Sequence, residues 1–254
     1  MKYAADFRSI ARNALRGRWL VAVLTAFVAS LIGAQIAAGG SGSSSSSENS
    51  GIDLTEYLNA DVVKLLKTAL GVLVVWAVIA LIIALVIGGA GKLGYARFNL
   101  NLVDGKEARF TDLFSQFHRI GDGFIMNLLL GLYVFLWSLL FVIPGIIKSL
   151  SYAMTPYILS EHPEYGANYA ISLSREMMDG NKFRLFCLSF SFIGWSLLCA
   201  LPTIAAAASL LTGSFLLLPL ILVSAIGSLF LDAYIEAAHA AFYREISETW
   251  AASV

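Results

Sequence analysis

The chain has 254 residues, of which 58% are hydrophobic and only 13% are charged, and its basic and acidic residues balance to a formal net charge of zero. Soluble domains average about a quarter charged residues, so this composition predicts a protein embedded in a membrane. A neutral chain lacks the basic surface that nucleic acids require, so we expect no nucleic-acid partner. The two cysteines lie twelve residues apart in one apolar segment. Along a helix that separation is about 18 Å, which excludes a disulfide between them.

The apolar runs predict an all-α, polytopic helical membrane protein with about six membrane segments and amphipathic interfacial helices. A helix crosses about 30 Å of hydrocarbon with roughly 20 apolar residues. The predicted segments, in chain order, are residues 19–38, 68–88, 124–143, 145–160, 185–201 and 214–235. We expect residues 1–254 to form a single integral membrane domain with both termini in the cytoplasm.

The charges assign the connections to the two sides of the membrane, because lysine and arginine concentrate in cytoplasmic loops. Residues 1–18 predict a basic amphipathic helix, which either contacts the anionic inner leaflet or simply follows this rule. Residues 39–60 are Ser-rich, acidic and free of lysine and arginine, so we expect an external loop. Residues 161–184 carry several basic side chains and are expected in the cytoplasm.

The stretch WSLLFVIPGIIK determines the direction of the chain after the third segment. Pro144 and Gly145 permit either a tight hairpin or a kink in a continuing helix. A kink would place residues 161–184 outside, so the positive-inside rule favours the hairpin, with Lys148 near the outer surface. The next segment, 145–160, then covers only about 24 Å as helix, and we expect it to be short or partly re-entrant.

Two further stretches carry local patterns. Residues 104–121 predict an interfacial helix whose apolar residues recur at helical spacing and would share one face: Phe110, Leu113, Phe114 and Phe117. The basic residues expected near the headgroups are Lys106, Arg109 and Arg119. The second stretch, GGAGKLGYAR, matches the dinucleotide pattern G-x-G-x-x-G, which is meaningful only between a strand and a helix. Because it follows a membrane helix here, close helix packing or a flexible exit is favoured.

Several motifs together resemble the domain-of-unknown-function 975 family of bacterial integral membrane proteins. They are W-S-L-L-F-V-I-P-G-I-I-K, S-x-x-M at 151–154, S-R-E-M-M-D-G-N-K-F-R-L-F and S-F-I-G-W, supported by L-R-G-R-W, F-T-D-L-F and A-F-Y. The resemblance implies a multi-pass protein of the bacterial cell membrane and no established activity. A weaker likeness, carried by I-P-G and a Ser/Arg helix, is to the membrane domain attached to some glycerophosphodiester phosphodiesterases. That likeness implies a lipid-facing role.

The last segment carries the candidate polar site. Asp232, Glu236 and His239 fall on one stripe of a helix, and we expect them to face Arg175 and Lys182 at the cytoplasmic mouth of the bundle. Glu236 and His239 also form E-x-x-H, but di-metal bundles need two such motifs, so we expect no metal and no cofactor. The alternative is an ordinary solvated helix end. A second alternative is a headgroup site built from Ser174, Arg175, Asn181 and Lys182.

Two classes of function remain after these observations. The first is a non-enzymatic accessory, assembly or stress-type membrane factor that contacts lipids or an unknown protein partner. The second is a small transporter or channel, working alone or as a homo-oligomer. No catalytic motif is found, so we expect no enzymatic activity and no catalytic residues. Polar residues converging along one axis would favour transport, whereas a solid apolar core would favour the accessory role.

Overall fold

The computed structural model describes residues 3–32, 60–211 and 219–252. Within them the chain is helical without a β-strand, which confirms the all-α class. The α-helices are α1 Ala4–Leu15, α2 Trp19–Ile32, α3 Ala60–Val103, α4 Ile120–Leu140, α5 Val142–Tyr152, α6 Thr155–Glu161, α7 Ala167–Met177, α8 Lys182–Leu211 and α9 Leu220–Ala251. The predicted external loop, 39–60, lies outside the described residues except for its last position.

Three helices in the described part of the chain are long and apolar enough to cross a membrane: Phe110–Leu140, Lys182–Ser209 and Leu220–Ala251. The first includes the short turns that lead into α4. The number rises to four if α1 and α2, which meet at 104°, are counted as one broken span. The structure therefore confirms that the chain has several long apolar helices, but it does not confirm six membrane segments. The second segment, 68–88, lies inside the continuous 44-residue helix α3.

The buried core lies at one end of these long helices. Leu93 and Phe98 of α3, Tyr157 of α6 and Phe242 of α9 are each at most 1% exposed. At the other ends, large apolar side chains are exposed in every long helix, among them Trp76, Phe135, Leu139, Leu197, Leu201 and Leu222. Surfaces of this size and polarity are rarely left in contact with water, so they indicate a lipid or protein environment.

The N-terminal helix belongs to this core. Phe7, Ala11 and Leu15 are at most 1% exposed, and the Phe7 ring lies 5.1 Å from the ring of Phe242. Of the two interpretations of residues 1–18, leaflet contact through the apolar face is not supported, because that face is buried in the protein. That face is used by α9 because the chain turns sharply between α1 and α2 at Gly17, whose φ is +80°.

The chain turns back directly after α4, so the hairpin is observed and the continuous kinked helix is not. The turn is at Phe141, which is extended, whereas Pro144 occupies the first turn of α5, where its missing N–H is not needed. A Cβ atom on Gly145 would lie 3.0 Å from Cα of Ser138, so the two helices touch there. The Lys148 ammonium lies 4.7 Å from the centre of the Trp137 ring rather than reaching away from the protein.

The segment after the turn, 145–160, is not one short helix. It breaks after Tyr152, and α6 then continues with every residue from Thr155 to Ser160 buried. The following connection, 161–184, contains α7, which packs its apolar face into the core. Gly180 has φ +76°, a left-handed conformation that suits glycine in the turn before α8. The fifth segment is longer than predicted, because α8 continues through Pro202.

Residues 104–121 do not form the predicted amphipathic helix. They contain two short 3-10 turns, Phe110–Phe114 and Phe117–Arg119. A 3-10 turn repeats every three residues, so the apolar side chains separate: Leu113 is fully buried while Phe114 is 43% exposed. The phenylalanine rings still contact one another, at 5.4 to 5.6 Å between centroids. Arg119 turns inward and donates to the carbonyl oxygens of Leu159 and Pro163, both at 3.0 Å, instead of facing headgroups.

The glycine-rich stretch is a site of close helix packing, as predicted, and the dinucleotide interpretation is wrong because the stretch lies inside α3. A Cβ atom on Gly123 of α4 would lie 2.6 Å from the backbone nitrogen of Ala90 in α3. A Cβ atom on Gly94 would lie 2.6 Å from the carbonyl carbon of Leu113. The two helices and the 3-10 turn therefore approach through their backbones, as small residues allow in membrane bundles.

We expect Gly123→Ala to lower the thermal stability of the protein in detergent, because its methyl group must displace the backbone of α3. Overpacking of this kind costs roughly 1–3 kcal/mol. The matched control is Gly131→Ala, also in α4, where nothing lies within 4 Å of an added Cβ atom. The control is expected to be neutral or slightly stabilising, since alanine favours the helix. Equal melting temperatures for the two variants would contradict the close contact.

Candidate functional site

A cleft of about 890 Å³ lies between α5, α8 and α9, with Ala26 of α2 and Tyr95 of α3 at its base. Asp232, Glu236 and His239 all line it, so the structure brings together the three acidic and imidazole groups that the sequence placed on one stripe. The volume is in the range of about 300–1,000 Å³ found for small-molecule sites.

Two polar stripes run along the walls of the cleft. On α9 the stripe repeats every four residues, at Ser224, Ser228, Asp232 and Glu236, and on α8 every seven, at Ser189, Ser196 and Thr203. The helices are antiparallel, so the stripes meet at both ends. Ser189 Oγ lies 3.4 Å from His239 Nε2, and Thr203 donates to Ser224 Oγ at 2.6 Å. From His239 to Ser224 the α9 wall extends about 22 Å.

The rim of the cleft is apolar and faces outward. Phe190, Ile193 and Ile204 of α8 are 61%, 55% and 56% exposed, and Ile146 of α5 lies on the opposite side. Near the rim, Ser224 donates to the backbone carbonyl of Cys199 at 2.6 Å, so hydroxyl groups there also join α8 to α9. The cleft is therefore amphipathic, with polar groups inside and hydrocarbon at the opening.

Glu236 is the most buried acidic group of the cleft, with only 2% of its surface exposed. The Tyr157 hydroxyl of α6 donates to Glu236 Oε2 at 3.2 Å. Lys92 of α3 lies close enough to attract the Glu236 carboxylate, and its ammonium also donates to Asn127 Oδ1 at 2.8 Å. A buried carboxylate is costly unless such partners compensate its lost hydration. Lys92 lies behind the cleft wall rather than in its lining, and the sequence analysis missed it.

Asp232 differs from Glu236 in its surroundings. It is partly exposed to the cleft and has no hydrogen-bond or ion-pair partner among the residues that the structure describes. His239 is 5% exposed, and its hydrogen-bond contact is with Ser189. A Ser-His pair of the hydrolase type also needs a carboxylate that orients the imidazole, and no carboxylate bonds to the His239 ring in the described residues.

Arg175 and Lys182 do not complete this site as expected. Arg175 is exposed on α7 and forms no ion pair within the described residues, and the Lys182 ammonium lies 3.4 Å from the carboxylate of Asp179. Ser174, one of the four residues of the headgroup alternative, is fully buried and donates to the carbonyl of Ser151 at 2.9 Å, so it does not face a headgroup. The basic group near the acidic stripe is instead Lys92, on a helix distant in sequence.

An ion-pair network closes the same end of the molecule beyond the cleft. Arg244 of α9 bonds both carboxylate oxygens of Asp104 at 2.7 Å and one of Glu161 at 2.6 Å. Burial raises the pKa of Asp104, but hydrogen bonds from Arg244 and Lys106 outweigh it, so the pKa is lowered overall. This network joins the ends of α3, α6 and α9, and Arg184 joins α8 to the same region by bonding Glu245 at 2.7 Å.

No group of three or more histidine, cysteine, aspartate or glutamate side chains able to hold a metal ion occurs in the described parts of the chain. The free cysteines Cys187 and Cys199 are both partly exposed on α8. The cleft therefore provides hydrogen-bonding groups and negative charge inside an apolar opening.

The architecture is that of an all-helical protein whose long apolar helices extend from a packed end, with a polar cleft between them. The chain belongs to the family described as protein of unknown function (DUF975), which matches residues 1–151 and 139–249. The resemblance seen in its motifs is thereby confirmed. No curated protein and no solved structure matches the chain.

We expect Tyr157→Phe and Glu236→Gln to be energetically coupled, because the two side chains share a buried hydrogen bond. A double-mutant cycle read from unfolding free energy in detergent should give a coupling of roughly 0.5–3 kcal/mol. The control cycle pairs Glu236→Gln with Arg175→Gln. Since Arg175 is exposed on α7, that cycle should be additive within about 0.5 kcal/mol. Coupling in the control cycle and none in the first would show that Glu236 interacts with Arg175 and not with Tyr157.

Proposed function

We propose that this protein spans the bacterial cell membrane with about six segments and with both termini in the cytoplasm. The packing of the two termini against each other supports placing both on the same side of the membrane. The Phe7 ring of α1 contacts Phe242 of α9, and Tyr234 donates to the backbone carbonyl of Arg8 at 3.0 Å. The connection 161–184 is held at the same end, because Glu161 bonds Arg244 and Arg184 bonds Glu245. An even number of crossings follows, and the positive-inside rule assigns this end to the cytoplasm.

The topology is tested with single cysteines in a chain whose own two cysteines are replaced. We expect Ser45→Cys to react with a membrane-impermeant thiol reagent in intact cells, and Asn168→Cys to react only after the cells are opened. Both positions are predicted to lie in connections rather than in membrane segments, so accessibility reports the side. Reaction of both from the outside, or of neither, would exclude the proposed arrangement.

We further propose that the protein is a non-enzymatic accessory factor of the membrane that binds an amphiphilic molecule in the cleft between α5, α8 and α9. The observation that carries this proposal is the amphipathic construction of the cleft: hydroxyl and carboxylate groups lie inside it, while Phe190, Ile193 and Ile204 form an exposed rim. A soluble polar ligand would gain no binding free energy from contact with such an apolar rim. A molecule with a polar head and a hydrocarbon chain would satisfy both parts, and it could enter laterally from the bilayer.

A small transporter or channel is the second candidate, and one observation favours it. The polar stripes follow the helix axes for about 22 Å rather than forming one compact group. Hydroxyl groups of this kind also serve as interhelical hydrogen bonds in membrane bundles, typically contributing about 0.6–2 kcal/mol each. Thr203 and Ser224 are used in that way here, since Thr203 donates to Ser224 Oγ and Ser224 donates to the backbone carbonyl of Cys199. The binding role therefore has the stronger support.

The binding role is tested by filling the cleft. Ala200 lines it, whereas Ala208, also on α8, is exposed and lies outside it. We expect Ala200→Phe to abolish binding of a dansyl-tagged, uncharged amphiphile to the purified protein, and Ala208→Phe to leave binding intact. Energy transfer from tryptophan to dansyl measures occupancy, since Trp195 on α8 directly precedes Ser196, which lines the cleft. Unchanged binding in Ala200→Phe, at unchanged melting temperature, would exclude the cleft as the site.

A further inference from the structure

The charge of the cleft points to the chemical class of its ligand, an inference that rests on the binding role proposed above. The carboxylates that line it are Asp232 and Glu236, and no lysine or arginine among the described residues lines it. In an apolar setting such a surface repels anionic headgroups and attracts cations. The phosphate-bearing lipids that dominate an anionic leaflet are therefore poorly matched to this site.

The two carboxylates are not equivalent. Glu236 is almost fully buried, accepts a hydrogen bond from Tyr157 and is attracted to Lys92, so its charge is compensated inside the protein. Asp232 lies four residues away, about one helical turn nearer the opening. It faces the cleft without a hydrogen-bond or ion-pair partner in the described residues. A carboxylate in this position is the group that a bound cation would pair with.

The other groups at this depth limit the kind of cation. One uncompensated carboxylate with serine hydroxyls is a poor set for a divalent metal ion, which takes six or more oxygen ligands. An ammonium group has three N–H donors and matches one carboxylate and neighbouring hydroxyl oxygens. Ser228 lies one turn from Asp232 on α9, and Ser196 faces it from α8 in the antiparallel register set by Ser189 and His239. The apolar rim then accommodates a hydrocarbon chain.

We propose that the cleft binds an amphiphile with an ammonium headgroup, which pairs with Asp232 while its chain lies along the Phe190–Ile193–Ile204 rim. Part of the cost of the ion pair is offset because Asp232 is already partly removed from water. Removing the carboxylate deletes a charge-assisted hydrogen bond, so the affinity should fall by about tenfold or more.

The test uses the full chain in discs of zwitterionic phosphatidylcholine, with three dansyl-tagged probes of equal chain length that carry an ammonium, a hydroxyl or a phosphate headgroup. We expect the ammonium probe to bind about tenfold more tightly than the hydroxyl probe and the phosphate probe to bind least. Asp232→Asn should remove the preference for ammonium and leave hydroxyl binding unchanged. The matched control is Glu248→Gln, which removes the same charge from an exposed position on the same helix and should keep the preference.

The outcomes separate the two proposals. Equal binding of the ammonium and hydroxyl probes, or tighter binding of phosphate, would overturn the ammonium assignment while the amphiphile site stands, provided that Ala200→Phe blocks both. Loss of the preference in Glu248→Gln as well would show a general charge effect and would also overturn it. If no probe binds the unmodified protein above the level of empty discs, the amphiphile site itself is excluded.

Discussion

The packing of the C-terminal half of α9 is the constraint on which the rest of the molecule depends. This half is rich in alanine, and Ala237, Ala238, Ala240 and Ala241 are nearly inaccessible to solvent. Small side chains let neighbouring helices approach closely, and α1, α2, α3, α7 and α8 all contact α9. The packed end of the molecule is therefore built around α9. The cleft between α5, α8 and α9 begins at this alanine-rich region, where Glu236 and His239 line it.

The same packing explains how a carboxylate is retained inside the protein. Glu236 directly precedes these alanines on α9. A shift of α9 would therefore move Glu236 away from Tyr157 and Lys92. A buried ion with lost partners is strongly destabilising, whereas a satisfied one can be close to neutral. These polar contacts therefore help to fix the position of α9 along its own axis. Because Asp232 lies one turn from Glu236 on α9, the contacts of Glu236 also help to fix the position of Asp232 in the cleft.

Local and compositional features were predictable from the sequence. Apolar runs identified the long helices, the lysine and arginine distribution selected a hairpin over a kink, and glycine spacing indicated close packing. The polar stripe of Asp232, Glu236 and His239 followed from helical periodicity alone. The same argument could have identified the serines of this stripe, since the four-residue spacing extends upstream from Asp232 to Ser228 and Ser224.

The remaining features depend on contacts between residues distant in sequence. An amphipathic helix buries its apolar face against either lipid or protein, and periodicity does not distinguish them, so the partner of α1 stayed open. Residues 110–117 have α-helical spacing but form 3-10 turns because Leu113 packs against Gly94. Lys92, rather than Arg175, lies near Glu236 because α3 and α9 cross there. No local pattern identifies that crossing.

The contact between α4 and α5 has a consequence for membrane insertion in the arrangement proposed above. Ser138 meets Gly145, and Trp137 meets Lys148, so the contacts join residues only seven and eleven positions apart. Loops this short close with little loss of entropy, and such local structure forms early. The two helices can therefore leave the translocation machinery as a preformed pair. In that pair the lysine ammonium is shielded by an indole ring before it meets hydrocarbon, which lowers the barrier to insertion that an isolated charged helix would face.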